Sequence, residues 1–176
     1  MQRVKISGFG GQGIITSSFI VGKAVSIFDG KCAAMTQDYG PEARGGSCSS
    51  QVVIDDKEVD YPLVDESDIL IAMSQEGYDK YLPRLIDGGT LCFDADLVGK
   101  TQNHSRINAK GIPATRIAEQ LGKKIVANIV ILGFATAQTG FATVQAMKSS
   151  IEETVPEKFL DLNIKAFDIG YNYKEE

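Results

Sequence analysis

Histidine and cysteine are scarce in this sequence: its 176 residues include one His, His104, and three Cys, Cys32, Cys48 and Cys92. A His-centred catalytic site is hard to assemble from that stock. Iron–sulfur and zinc sites draw thiolates from close pairs such as C-x-x-C, because two sulfurs from one short loop must converge on a metal. Gaps of 16 and 44 residues separate the cysteines, so no such pair exists. Three separated thiols fit a reducing compartment better than a secreted disulfide framework, and each is expected to be a small buried or half-buried side chain. Long apolar runs are missing too. The longest, Ile125 to Ala137, contains Asn128, Gly133 and Thr136 and falls short of the roughly 18–20 apolar residues that span a bilayer. The N-terminus shows no basic-then-apolar signal segment. Basic side chains number 18 against 23 acidic, a formal net charge of −5, which argues against a protein built to grip nucleic acid. A cytoplasmic protein that uses neither membrane nor nucleic acid is expected.

What the sequence does contain is the makings of one α/β domain over 1–176. Hydrophobic residues are 43% and charged residues 23%, the balance of an ordinary globular domain. Val4–Ser7 reads as a first strand. Apolar residues from Ile14 to Phe28 recur at the helical period, and Asp29-Gly30 stops that helix. Cys32–Met35 reads as a second strand. Ser47–Ile54 reads as a strand that turns at Asp55-Asp56 and returns through Lys57–Val59 as a hairpin. Asp68–Met73 and Thr90–Asp94 are apolar enough for strands buried on both faces. Ser74 is placed to cap a helix running to about Leu85, ended by Asp87-Gly88-Gly89. Ile107 marks a short strand, and Pro113 opens a helix through Leu121. A buried helix is expected over Val126–Gln138, closed by Gly140. Thr143 caps another through Val155, and Pro156-Glu157 opens a last one. The alternation predicts a Rossmann-like, mostly parallel sheet with helices on both faces and a β-hairpin addition.

Two loops carry the candidate chemistry. Gly8-Phe9-Gly10-Gly11-Gln12-Gly13 satisfies G-x-G-x-x-G between a strand and a helix. Its first Gly permits the sharp turn, the second lets a phosphate reach the backbone, and the third lets helix and strand pack closely. The helix that follows presents unpaired N–H groups to an anion. A tight crossover that binds nothing would use the same glycines. A dinucleotide site further asks for an acid ending the second strand, yet Met35-Thr36-Gln37 ends it and Asp38 comes late. The second loop, Tyr39-Gly40-Pro41-Glu42-Ala43-Arg44-Gly45-Gly46, should leave the sheet at the same edge. Arg44 offers a permanent charge in a planar fork suited to phosphate or carboxylate, or it pairs with Glu42 or Asp38.

With both loops read, the sequence resembles the gamma subunit of 2-oxoacid:ferredoxin (acceptor) oxidoreductases. The residues that carry the resemblance are Gly8–Gly13, Tyr39–Gly46, Ser74-Gln75-Glu76, Ile112-Pro113-Ala114-Thr115 and Val126–Gly133, in the family's order from about Arg3 to Val155. The resemblance implies a share in the coenzyme A-dependent oxidative decarboxylation of a 2-oxoacid, 2-oxoglutarate for preference. The products are an acyl-CoA, carbon dioxide and reduced ferredoxin. It implies no cofactor held tightly by this chain. Thiamine diphosphate and Mg²⁺ belong to the alpha and beta subunits, and iron–sulfur clusters to beta or delta subunits.

Within that reading no nucleophile, acid or base is assigned here, and the isolated chain should be inactive. Gly8, Gly10, Gly11, Gln12 and Gly13, with Arg44, are the candidate binding residues for a coenzyme A phosphate or a neighbouring subunit. The Gln12 amide either bonds a ligand or ties the two loops together. Ser74 either caps its helix or lines the cleft, and His104 reads as a solvated surface side chain. Two other readings are a stand-alone NAD(P)-dependent oxidoreductase and a non-catalytic homodimeric module; self-association of the isolated chain is also compatible with the subunit reading.

Overall fold

A computed structural model describes residues 1–39, 46–59, 65–101 and 105–174. Six strands form one sheet: β1 (Gln2–Phe9), β2 (Cys32–Tyr39), β3 (Ser47–Asp55), β4 (Ser67–Ala72), β5 (Leu85–Asp94) and β6 (Asn108–Ile112). Their order is β2-β3-β1-β4-β5-β6. β1, β4, β5 and β6 are parallel neighbours. β3 runs antiparallel to both β1 and β2, so β2 shares the direction of β1 from one strand further out. The sheet is therefore mixed, with two of its five pairings antiparallel.

This corrects the expected hairpin. Residues 57–59 form no strand; β3 pairs instead with β2, which runs on to Tyr39. The physical reason lies in β3 itself. Cys48 to Ile54 are all buried, and a strand buried on both faces sits inside a sheet with neighbours on both sides. The short polar Lys57–Val59 segment could not supply that cover. Proline moves another boundary. Pro83 ends the helix expected to reach Leu85 in a tight turn over Leu82–Arg84, and β5 begins at Leu85.

The helices are α1 (Ile14–Lys23), α2 (Gln75–Tyr81), α3 (Ala114–Gln120), α4 (Ala127–Thr139), α5 (Val144–Thr154) and α6 (Leu160–Tyr171). Alternation along the strands sorts the core into two unequal parts. Val4, Ile6, Val52, Ile69, Ile71 and Cys92 join the large cluster built with α1 and α3–α6. Leu70, Ala72 and Leu91 meet Tyr78 and Tyr81 of α2 on the other face. Cys48 and Cys92 are buried, and burial pushes the Cys92 thiol up to about 12. Cys32 departs from expectation: it starts an edge strand and is exposed.

α4 is the centre of the large layer, with ten consecutive residues, Ala127 to Thr136, buried. α6 crosses it backbone to backbone at two glycines. A methyl group on Gly133 would lie 2.1 Å from the Phe167 carbonyl oxygen, and one on Gly170 would lie 1.9 Å from that of Val130. Neither obstacle is a side chain that could swing away. Gly170→Ala is expected to destabilise the fold by about 3 kcal/mol or more, at the upper end of overpacking effects, despite the better helix propensity of Ala. Gly22→Ala on α1, where an added methyl meets nothing within 4 Å, should instead stabilise by roughly 0.5–1 kcal/mol. Thermal unfolding of the two variants measures the contrast, and equal effects would show that the glycine contact is not tight.

Candidate functional site

β1 delivers the chain into the glycine loop at the carboxyl edge of the parallel strands. Tyr39 and Gly8 both lie opposite Cys48 across the ladder, so the first and second loops leave the sheet at one level. The Gly10 N–H donates to the Gly46 carbonyl at 2.9 Å and joins them. Arg44 and His104 lie outside the described residues.

The glycines of the first loop divide by environment. A methyl on Gly8 would sit 2.4 Å from Gln12 Oε1, and one on Gly13 would sit 2.5 Å from the Asn128 amide nitrogen. Gly13 also holds a φ of +76° as the residue that starts α1. These two are needed for packing. Gly10 and Gly11 are exposed, and Gly11 has open space where a side chain would be. That is where a ligand could approach.

Gln12 is the loop's internal brace. Its Oε1 accepts from the Phe9 N–H at 2.6 Å, and its Nε2 donates to the Met73 carbonyl at 2.9 Å, just past the end of β4. The side chain thus ties the first loop to β4, and the Gly10–Gly46 bond joins the first loop to the second. The Gln12 N–H is also used, donating to the Phe9 carbonyl at 3.1 Å. Among the described residues the N–H groups of Gly11 and Gly13 have no such partner, and the first-turn N–H groups of α1 are the unpaired donors every helix start leaves. Asn128 of α4 steadies that start by donating to the Gly13 carbonyl at 3.4 Å and to Ser17 Oγ at 3.2 Å.

A crevice of about 270 Å³ opens beside this loop, lined by Gly11, Gln12, Met73, Leu97, Thr115, Lys124, Ile125 and Ala127. Its walls come from the ends of β1, β4, β5 and β6. After β1 the chain builds outward on one side through β3 and β2, and after β4 it builds on the other side. α1 and α2 consequently lie on opposite faces. The crevice therefore occupies the switch point where open α/β sheets bind ligands.

Asp94, the last residue of β5, fixes the Thr115 wall. Its carboxylate accepts from Thr115 Oγ1 at 2.6 Å and from the Thr115 N–H at 3.1 Å. Burial pushes the Asp94 carboxyl above its ordinary range, against the hydrogen bonds from Thr115. Lys124 supplies the cation, exposed and 3.6 Å from Glu119. It belongs to no motif; a Lys123-Lys124 pair just before the buried helix was its only signal. Ser74 is a helix cap, accepting from the Gly77 N–H at 3.0 Å. Gln75 bonds the main chain of Lys100, donating to its carbonyl and accepting from its N–H.

The family model for pyruvate ferredoxin/flavodoxin oxidoreductase matches residues 3–173. The chain belongs to the pyruvate ferredoxin/flavodoxin oxidoreductase family. It is 43% identical to 2-oxoglutarate synthase subunit KorC of Methanothermobacter marburgensis, over 96% of this chain and 94% of that one. The corresponding subunit of Methanocaldococcus jannaschii is 42% identical, over 99% and 95%. The fold matches the crystal structure of the gamma subunit of keto/oxoacid ferredoxin oxidoreductase from Geobacter sulfurreducens. That match has a TM-score of 0.86 and 40% identity, covering 97% of this chain and 96% of that one. Among the described residues no helix is long and apolar enough to cross a membrane, and no three His, Cys, Asp or Glu side chains gather as a metal site.

Gln12→Ala should destabilise the fold by roughly 1–3 kcal/mol, because it leaves the Phe9 N–H and the Met73 carbonyl unpaired. Gln12→Glu keeps the acceptor for Phe9 but turns a second oxygen toward the Met73 carbonyl, so it should not restore stability. Urea unfolding measures both, and an unchanged midpoint in the Ala variant would show that the brace carries no strain of the loop.

Proposed function

We propose that the chain is a single gamma-type domain, the gamma subunit of a 2-oxoglutarate:ferredoxin (acceptor) oxidoreductase. The complex converts the 2-oxoacid and coenzyme A to an acyl-CoA and carbon dioxide, and passes the electrons to ferredoxin or a similar acceptor. The observation that carries the reading is the near-full-length similarity to 2-oxoglutarate synthase subunits, 43% and 42% identical. Alpha and beta subunits, with or without a delta subunit, are its partners. They hold thiamine diphosphate, Mg²⁺ and the iron–sulfur clusters, which supply the decarboxylation and electron-transfer chemistry. The protein works in the cytoplasm, and without its partners it self-associates as a homodimer.

This chain contributes a wall of the coenzyme A site. The crevice at the switch point takes a phosphate at the Gly11 main chain, two residues before the start of α1, whose positive end favours negative charge. Lys124 adds a positive charge, and Arg44 adds a second from the neighbouring loop. Neither group transfers a proton; they bind and orient. The Gln12 brace and the Asp94–Thr115 pair hold the walls so that coenzyme A meets a rigid surface.

Reconstitution tests the reading. With alpha and beta subunits added, the chain should restore 2-oxoglutarate- and coenzyme A-dependent acceptor reduction, and alone it should show none. Lys124→Ala and Arg44→Ala should each raise the apparent KM for coenzyme A, on the order of tenfold for loss of a charge-assisted contact, with kcat little changed. An unchanged KM with normal assembly would remove both residues from the site. Activity with pyruvate but not 2-oxoglutarate would overturn the substrate.

A further inference from the structure

The described residues leave six large hydrophobic side chains exposed, and four of them, Phe19, Ile27, Phe28 and Tyr39, belong to one side of the molecule formed by α1, its continuation and β2. α1 runs on into a π-helical turn over Ala24–Phe28, where the Asp29 N–H reaches back to the Ala24 carbonyl at 3.0 Å. At this end Ile27 is 66% exposed and Phe28 37%. Between α1 and β2 lies a cleft of about 440 Å³, lined by Phe19, Gly22, Lys23, Ile27, Ala33 and Met35 among others.

Among the described residues β2 is also an edge strand without the usual protection. Native edges are blunted by shortness, lysines, prolines or bulges. The opposite edge follows that rule: β6 has five residues and carries Lys110. β2 has eight residues in unbroken register from Cys32 to Tyr39, with no Lys, Arg or Pro. Its one charged side chain, Asp38, already lies 3.7 Å from Lys80 Nζ.

We infer that this edge pairs with β2 of a second copy, antiparallel about a two-fold axis at Met35, and that the two α1 patches close over the junction. The inference rests on the self-association proposed above and adds its location. An edge strand presents the N–H and C=O groups of alternate residues outward, so an edge that pairs with itself is centred on a residue. Met35 qualifies because its side chain lies on the α1 face and lines the cleft. The strand's own residues favour a second copy as the occupant. In this register Lys31, which lies one residue before β2 and has no ion pair among the described residues, comes near the exposed Tyr39 ring of the other copy. An ammonium meets an aromatic face at both ends of the ladder. The uncharged middle, Ala33 to Gln37, brings no like charges together.

The same register places Cys32 opposite position 38 of the other copy, while within one copy those positions are roughly 20 Å apart along the strand. The full chain carrying Asp38→Cys, oxidised mildly, should therefore run as a covalent dimer on a non-reducing gel, and adding Cys32→Ser should abolish it. Ile27→Lys, at an exposed position, should shift the chain from dimer to monomer in sedimentation at micromolar concentration, with its circular dichroism unchanged. A native dimer that neither cross-links nor responds to Ile27→Lys would overturn this interface and leave self-association standing. A monomeric native chain would overturn both.

Discussion

Two glycines let the helical layer exist in its present form. Gly133 and Gly170 bring α4 and α6 together backbone to backbone, closer than any Cβ would permit. α4 can then lie under the sheet with ten consecutive residues buried. Its depth matters at its first turn, where Asn128 meets the Gly13 carbonyl and Ser17. Move α4 outward by the width of a methyl group and that amide leaves the start of α1. The glycine loop is thus held from two directions, by Asn128 of α4 and by the Gln12 bond to the end of β4. Packing far from the crevice sets its geometry.

The inserted strand accounts for the kind of ligand this loop can take. A dinucleotide site places the acid that ends its second strand next to the glycine loop, with the two strands adjacent. Here β3 lies between β1 and β2, which moves the end of β2 outward by about 4.8 Å, one more strand spacing. Asp38 near that end faces Lys80. A ribose acid is therefore missing in space as well as in sequence, which weighs against a stand-alone NAD(P) enzyme. What survives of the motif is the glycine turn and the helix start.

The elements that rest on strong local chemistry were readable from the sequence. The Ser74 and Thr143 caps, the Gly140 stop and the all-round apolar α4 fell where composition put them, because caps and burial are decided within a few residues. β3 was misplaced in its pairing, since a strand's partner depends on what else needs burying and not on its own residues. The same limit hid Lys124, Leu97 and Ile125, which reach the crevice only after the sheet has gathered four strand ends. Glycines showed the converse. G-x-G-x-x-G was plain, but only the coordinates divide it into Gly8 and Gly13, which serve packing, and Gly11, which leaves open space.

That division bears on how a subunit without catalytic side chains can matter to a reaction. The loop uses its one functional side chain, Gln12, internally, and the Gly10 and Gln12 N–H groups as well. What remains to face a ligand is main chain, the start of a helix and peripheral cations. Such groups suit a phosphate, whose binding needs position and not proton transfer. A chain with one His and no close Cys pair is adequate for that task, provided that the reacting carbon and the electron carriers are held elsewhere. On the reading proposed above, the scarcity of reactive residues and the internally braced glycine loop are two sides of one division of labour, in which this subunit holds an anion and its partners carry out the chemistry.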